Sequence, residues 1–217
     1  MKRLFAFSLS EVLITISIIG TIAALTMPGA IANYDKQVSG TKLNRFYSQM
    51  KYAQSEYMRK KNMVYADFKI PNSVSHAWWE STIGGMMTSL NKINNTPCYS
   101  QIDGTAYCIQ SGGPSKLRIY FFTEQKYLKN SLTSCKIDKK CAGKHMFYME
   151  INEGLLGAGN SEYANLSRAE LLEYCSGSIN SHWGACTKLI QRDNWKIAED
   201  YPWRRYWWKK VLHYRKY

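Results

Sequence analysis

The sequence predicts an α+β fold in which a long amino-terminal helix packs on a small antiparallel β-sheet stapled by disulfides. Three observations carry this expectation. An apolar run near the amino terminus passes directly into an amphipathic helical pattern. Short β-patterned runs separated by turn residues follow it. All six cysteines fall after residue 97.

The helix comes first. Lys2 and Arg3 form a short positive lead, and between Phe7 and Tyr34 the only charged side chain is Glu11. Val12 to Ala32 is an apolar run of 21 residues. That is enough to cross a hydrocarbon core of about 30 Å as a helix. Thr15, Ser17, Thr21 and Thr26 lie within it, and their hydroxyls are able to bond back to the helix backbone. Further on, Leu43, Phe46, Tyr47, Met50, Ala53 and Tyr57 recur at spacings of three and four and form one apolar stripe. Lys42, Arg45, Gln49, Lys51 and Lys60 fall mostly elsewhere. One helix of about fifty residues, on the order of 75 Å long, accounts for both halves. Two helices broken at Pro28 are the alternative.

Residues 62–97 carry Pro71, Gly84, Gly85 and many Ser, Asn and Thr, the composition of a connection with one or two short helices. His76, Trp78 and Trp79 within it are expected to pack rather than to form a site. Strands follow at Ala106 to Gln110, at Lys116 to Thr123 behind the turn Gly112-Gly113-Pro114, and at Met146 to Ile151. Asn152-Glu153-Gly154 reads as a turn. Ser167-Arg168-Ala169-Glu170 is a capping box opening a short helix through Tyr174, with Cys175 at its end. Cys186 to Gln191 suits helix or strand.

The cysteines are Cys98, Cys108, Cys135, Cys141, Cys175 and Cys186, an even set in the later part of the chain, as expected of disulfides made in an oxidising compartment. Spacing alone does not choose among the pairings. Nearest-neighbour pairing, Cys98–Cys108, Cys135–Cys141 and Cys175–Cys186, is the simplest expectation. Zinc sets can be drawn from Cys175, His182 and Cys186, or from Cys135, Cys141 and His145, but neither has a close CxxC knuckle, so no metal is expected. A Gly-rich phosphate loop, a nucleophile elbow and an HExxH motif are all missing from the sequence, so neither enzymatic activity nor a cofactor is expected.

Glu11 separates three readings of the amino terminus. A secretory signal would use the basic lead, the apolar stretch and a small-x-small site at Ala30-Ile31-Ala32. A plain anchor would simply stay in the membrane. A leader cut on the cytoplasmic side, ahead of the apolar stretch, would leave that stretch as the helix of the mature subunit. A carboxylate at the edge of an apolar helix costs a few kcal/mol unless paired. Only the third reading gives it a mate, because cleavage after Ala6 frees an amine on Phe7, one helical turn from Glu11.

The stretch Phe7-Ser8-Leu9-Ser10-Glu11-Val12-Leu13-Ile14 resembles the processing and methylation motif of type IV pilins and type II secretion pseudopilins, in which the fifth mature residue is Glu. Gly20, Ala23, Ala24 and Pro28 stand where that family has its Gly, its Ala pair and its Pro. Ala6 departs from the Gly usual before the cut, and Ser8 and Ser10 are more polar than the family's residues. The segment Cys186–Trp203 resembles, more weakly, the ending of many pseudopilin-like proteins.

The resemblance implies a pilin-like fold and five parts: a leader (1–6), the transmembrane half of the long helix (7–32), its amphipathic half (33–62), a globular domain (63–203) and a basic aromatic tail (204–217). It implies that prepilin peptidase cuts after Ala6 and methylates Phe7, and that Glu11 pairs with a neighbour's amino terminus in a pilus or pseudopilus. The partners are then other subunits, the peptidase and membrane lipid. The location is the cytoplasmic membrane, with the carboxyl domain outside. Pseudopilin calcium loops are Asp-rich, and the turn at Asn152 is not.

The charge balance, 29 Lys+Arg against 16 Asp+Glu for a formal net of +13, favours an anionic partner such as nucleic acid, lipid head groups or an acidic subunit. In the tail, Arg204, Arg205, Lys209 and Lys210 interleave with Trp207 and Trp208, a pattern that suits phosphate contact with base stacking or an interfacial anchor. A solvated basic surface and an unliganded tail are the plainer readings. A DNA-binding minor pilin and a freely secreted disulfide-rich protein are the rival functions.

Overall fold

A computed structural model of the chain describes residues 9–87, 91–93, 97–113, 115–128, 141–176 and 183–203. The chain divides into two compact units, one ending at Val38 and one beginning at Ser39. Helix α1 (Leu9–Lys61) contributes to both and runs through Pro28 as one helix of 53 residues. The proline removes one main-chain hydrogen bond without ending the helix.

In the first unit, α1 carries the apolar run from Val12 to Ala32, whose large side chains are solvent-accessible, between 42% at Val12 and 83% at Leu25. The four hydroxyls between Val12 and Ala32 donate to carbonyls three or four residues earlier: Thr15 to Val12 and Ser17 to Leu13 at 2.8 Å, Thr21 to Ile18 at 2.8 Å, and Thr26 to Ile22 at 3.0 Å. A polar side chain satisfied in this way adds little to the cost of a dry environment.

In the second unit, the predicted stripe is the buried one. Leu43, Phe46, Met50, Ala53 and Tyr57 are buried, and Tyr47 is half-buried. The helix stops at Asn62, whose φ of 48° is left-handed. Asn62 N–H donates to Arg59 O at 3.2 Å and Met63 N–H to Met58 O at 3.0 Å, the paired bonds of a Schellman cap.

The connection holds short 3-10 turns at Tyr65–Asp67 and Ile83–Met86 around α2 (His76–Ser81), which is capped by Ser75 Oγ accepting from Trp78 N–H at 3.2 Å. A six-stranded antiparallel meander follows in the order β1 (Asn91–Ile93), β2 (Cys98–Ser100), β3 (Ala106–Gly113), β4 (Lys116–Phe122), β5 (Met146–Asn152) and β6 (Leu155–Ala158). Helices α3 (Arg168–Ser176) and α4 (Trp183–Arg192) follow, and the described residues run on to Trp203. The three predicted strands are present, β3 three residues longer than expected. The Cys186–Gln191 piece is helix.

The sheet buries both faces. Tyr107, Ile109, Leu117, Ile119, Phe121, Phe147, Met149 and Ile151 share a core with the α1 stripe. Their alternating neighbours Ala106, Cys108, Tyr120, Phe122, Met146 and Tyr148 form a second, smaller core on the other face. This is the period-2 pattern of a strand with two dry sides. The Phe46 ring stacks on Phe121 at 4.5 Å, which registers the helix against the sheet centre.

The predicted turn after β5 is a two-residue hairpin loop. Glu153 (φ 49°) and Gly154 (φ 77°) both take the left-handed conformation that such loops require. Gln54, buried on α1, donates from Nε2 to Gly154 O at 2.5 Å. A Cβ at Gly154 would collide with the Tyr65 carbonyl, so glycine is needed there for both φ and space.

Candidate functional site

The residues singled out in the sequence fall into three groups. Ala6 and Phe7 at the expected cleavage position, and Arg204, Arg205, Trp207, Trp208, Lys209 and Lys210 of the tail, lie outside the described residues. Glu11 lies in the first turn of α1, exposed, where a carboxylate is favourably placed with respect to the helix dipole. From Glu11 the helix continues with a mean hydropathy of 1.9 over an 18-residue window, and it is long and apolar enough to cross a membrane. Gly20 sits mid-helix, and a Cβ there would meet no described atom within 4 Å. A helical glycine costs about 1 kcal/mol relative to alanine, and packing in this unit does not explain it.

The third group is the cysteines. Cys98 and Cys108 face each other in the β2–β3 register and are bonded. Ile109 N–H donates to Pro97 O, which makes this a non-hydrogen-bonded pair, the closer of the two antiparallel spacings. Cys175 and Cys186 join α3 to α4. Cys141 is disulfide-bonded, and Cys135, the partner expected for it, lies outside the described residues. Bonded to each other, Cys175 and Cys186 have no thiolates to offer zinc. Among the described residues no group of three or more His, Cys, Asp or Glu is placed to hold a metal ion.

His76, Trp78 and Trp79 are packing residues, as expected. Trp79 is fully buried and its Nε1–H donates to Tyr107 Oη at 3.1 Å. His76 Nδ1 lies 2.9 Å from Tyr99 Oη, and the Tyr99 ring stacks on Tyr107 at 5.3 Å. Burial holds both phenols well above their ordinary range.

Three features have no local sequence signal. Arg168 clamps the segment that follows α4, with Nε and Nη2 donating to both Asp193 oxygens at 2.8 Å and Nη1 and Nη2 donating to Asp200 at 2.7 and 2.9 Å. Glu150 is a buried carboxylate. It accepts from Ser161 N–H at 2.6 Å and from Tyr148 Oη–H at 3.0 Å. His145 stacks on Tyr127 with centroids 3.9 Å apart, and burial, then the Lys144 charge, lowers its pKa to about 4. The capping box was legible: Ser167 N–H donates to Glu170 Oε2 at 2.7 Å and Glu170 N–H to Ser167 Oγ at 3.3 Å.

The geometry offers a membrane-competent helix with one acid at its border and a disulfide-stapled sheet domain. Comparison with protein-family models, with curated proteins and with solved structures finds no match.

Proposed function

We propose that the chain is a structural subunit, of minor type, in a type IV pilus or a type II secretion pseudopilus. Prepilin peptidase cuts it after Ala6, and the helix from Phe7 serves first as a membrane anchor and then as a filament core element. The observation that carries this reading is the single acid, Glu11, at the border of an otherwise uncharged apolar run that is accessible along its length. Such a carboxylate is best neutralised by the new amine on a neighbour's Phe7, a buried pair that sets register more than it adds stability. Gly20 and Ala24, one turn apart, are the residue types that let membrane helices approach closely, and a Cβ at Gly20 would meet no described atom of another element within 4 Å. The domain's role is structural rather than enzymatic in this reading.

Amino-terminal sequencing and intact mass of the protein purified from membranes test it. The expected mature chain begins at a methylated Phe7. A chain beginning near Asn33 means a freely secreted protein and ends the proposal. Glu11→Ala is expected to leave membrane content unchanged and to remove the subunit from sheared filaments. Equal filament content in the two proteins would exclude the assembly role of Glu11.

A further inference from the structure

We propose that the groove between the Ala164–Asn165 turn and the outer face of α4 binds a small oxyanion, a carboxylate or phosphate group, through Lys188 and Arg192. The groove is shallow and open to solvent, with a volume of about 420 Å³, and is lined by Ala164, Asn165, Lys188, Gln191 and Arg192. Positions 188, 191 and 192 are three and four apart, so α4 presents these three polar side chains together. Two of them are cations, and no acid lines the groove.

Among the described residues, neither cation has a carboxylate within ion-pair distance. Lys188 is half-buried and its Nζ donates to Gln191 Oε1 at 2.9 Å, a neutral acceptor. Arg192 Nη1–H donates to the Leu166 carbonyl, and this ties the turn to the helix. The carboxylate that acts on Arg192, Glu170, is engaged by Ser167 N–H in the capping box. Neither Lys188 nor Arg192 forms an ion pair with another described residue, whereas Arg168 on the adjoining helix is saturated by two aspartates. Burial, then the Arg192 charge, lowers the Lys188 pKa, the sign of an ammonium that gains from a nearby anion. The inference is independent of the membrane reading.

The test uses the purified full chain in detergent, titrated with inorganic phosphate and, separately, with succinate, chloride being exchanged to hold ionic strength constant. Thermal unfolding midpoints are followed. A saturable rise with at least one of the two anions is expected, and which one acts identifies phosphate or carboxylate as the preferred group. Lys188→Gln is expected to weaken the response about tenfold, the loss of one charge-assisted contact. Lys126→Gln, at an exposed cation paired with Glu124, is expected to leave it unchanged. The proposal is overturned if wild type shows no saturable response to either anion, or if Lys188→Gln responds like wild type.

Discussion

The two stretches of α1 solve the problem of apolar surface in opposite ways. From Ser39 on, apolar residues occupy one stripe, and Leu43, Phe46 and Met50 are at most 1% exposed. From Val12 to Ala32 they occupy every side, and Ile16, Ile19 and Leu25 are at least 63% exposed. A stripe is a request for a protein surface, and here the sheet supplies it. An all-round apolar surface has no face to turn to water, so it is suited to a medium that is dry on all sides. The contrast lies in how the residues are distributed round the axis, since both stretches are rich in large apolar side chains.

Substitutions that swap the two environments test the comparison most severely. Phe46→Ala is expected to destabilise the domain by about 3–5 kcal/mol, through a cavity between α1 and β4. Leu25→Ala is expected to change domain stability by less than about 0.5 kcal/mol. Denaturant unfolding of both variants in the same detergent reads the difference. Comparable losses would mean that the apolar stretch belongs to the folded core.

A smaller effect is expected at the hairpin loop. Gly154→Ala places a side chain at φ 77° and against the Tyr65 carbonyl, and about 2 kcal/mol of stability is expected to be lost. The same change at Gly20, where no described atom lies within 4 Å, is expected to leave domain stability unchanged. Equal effects at the two glycines would remove the distinction drawn here between a glycine required by its own fold and one left over for a neighbour.

A further expected effect is a pH dependence. His145 has its pKa lowered to about 4 in the fold, below the ordinary 6.5. Between those values the unfolded chain takes up a proton that the folded chain refuses, so stability is full above pH 6.5 and declines as pH falls toward 4. Thermal melts over that window are expected to show the decline in wild type and a flatter profile in His145→Gln.

Much of this was legible in the sequence, for reasons that differ by element. The α1 stripe and strands β3 to β5 are long enough for periodicity to declare itself. The bonds Cys98–Cys108 and Cys175–Cys186 join near neighbours because each links adjacent elements, two paired strands and two consecutive helices. Strands β1, β2 and β6 have three or four residues each, too few to establish a period, and their register comes from the strands beside them. Glutamine is a residue type that is mostly exposed, yet Gln54 is buried. It is buried because its acceptor, the Gly154 carbonyl, arrives from 100 residues away. The Arg168 clamp is likewise a meeting of residues 25 and 32 positions apart. Trp195, at φ 63°, defies the local preference of a bulky residue. Its ring lies 4.9 Å from Tyr47, and its carbonyl would collide with a Cβ at Gly40, so tertiary packing fixes it there.

The four hydroxyls that bond within their own turns have a mechanical consequence. A rod whose alcohols are already occupied treats oily solvent, surfactant and a ring of sister rods as nearly equivalent surroundings. It is free to slide from one to another without breaking any side-chain bond that those alcohols make.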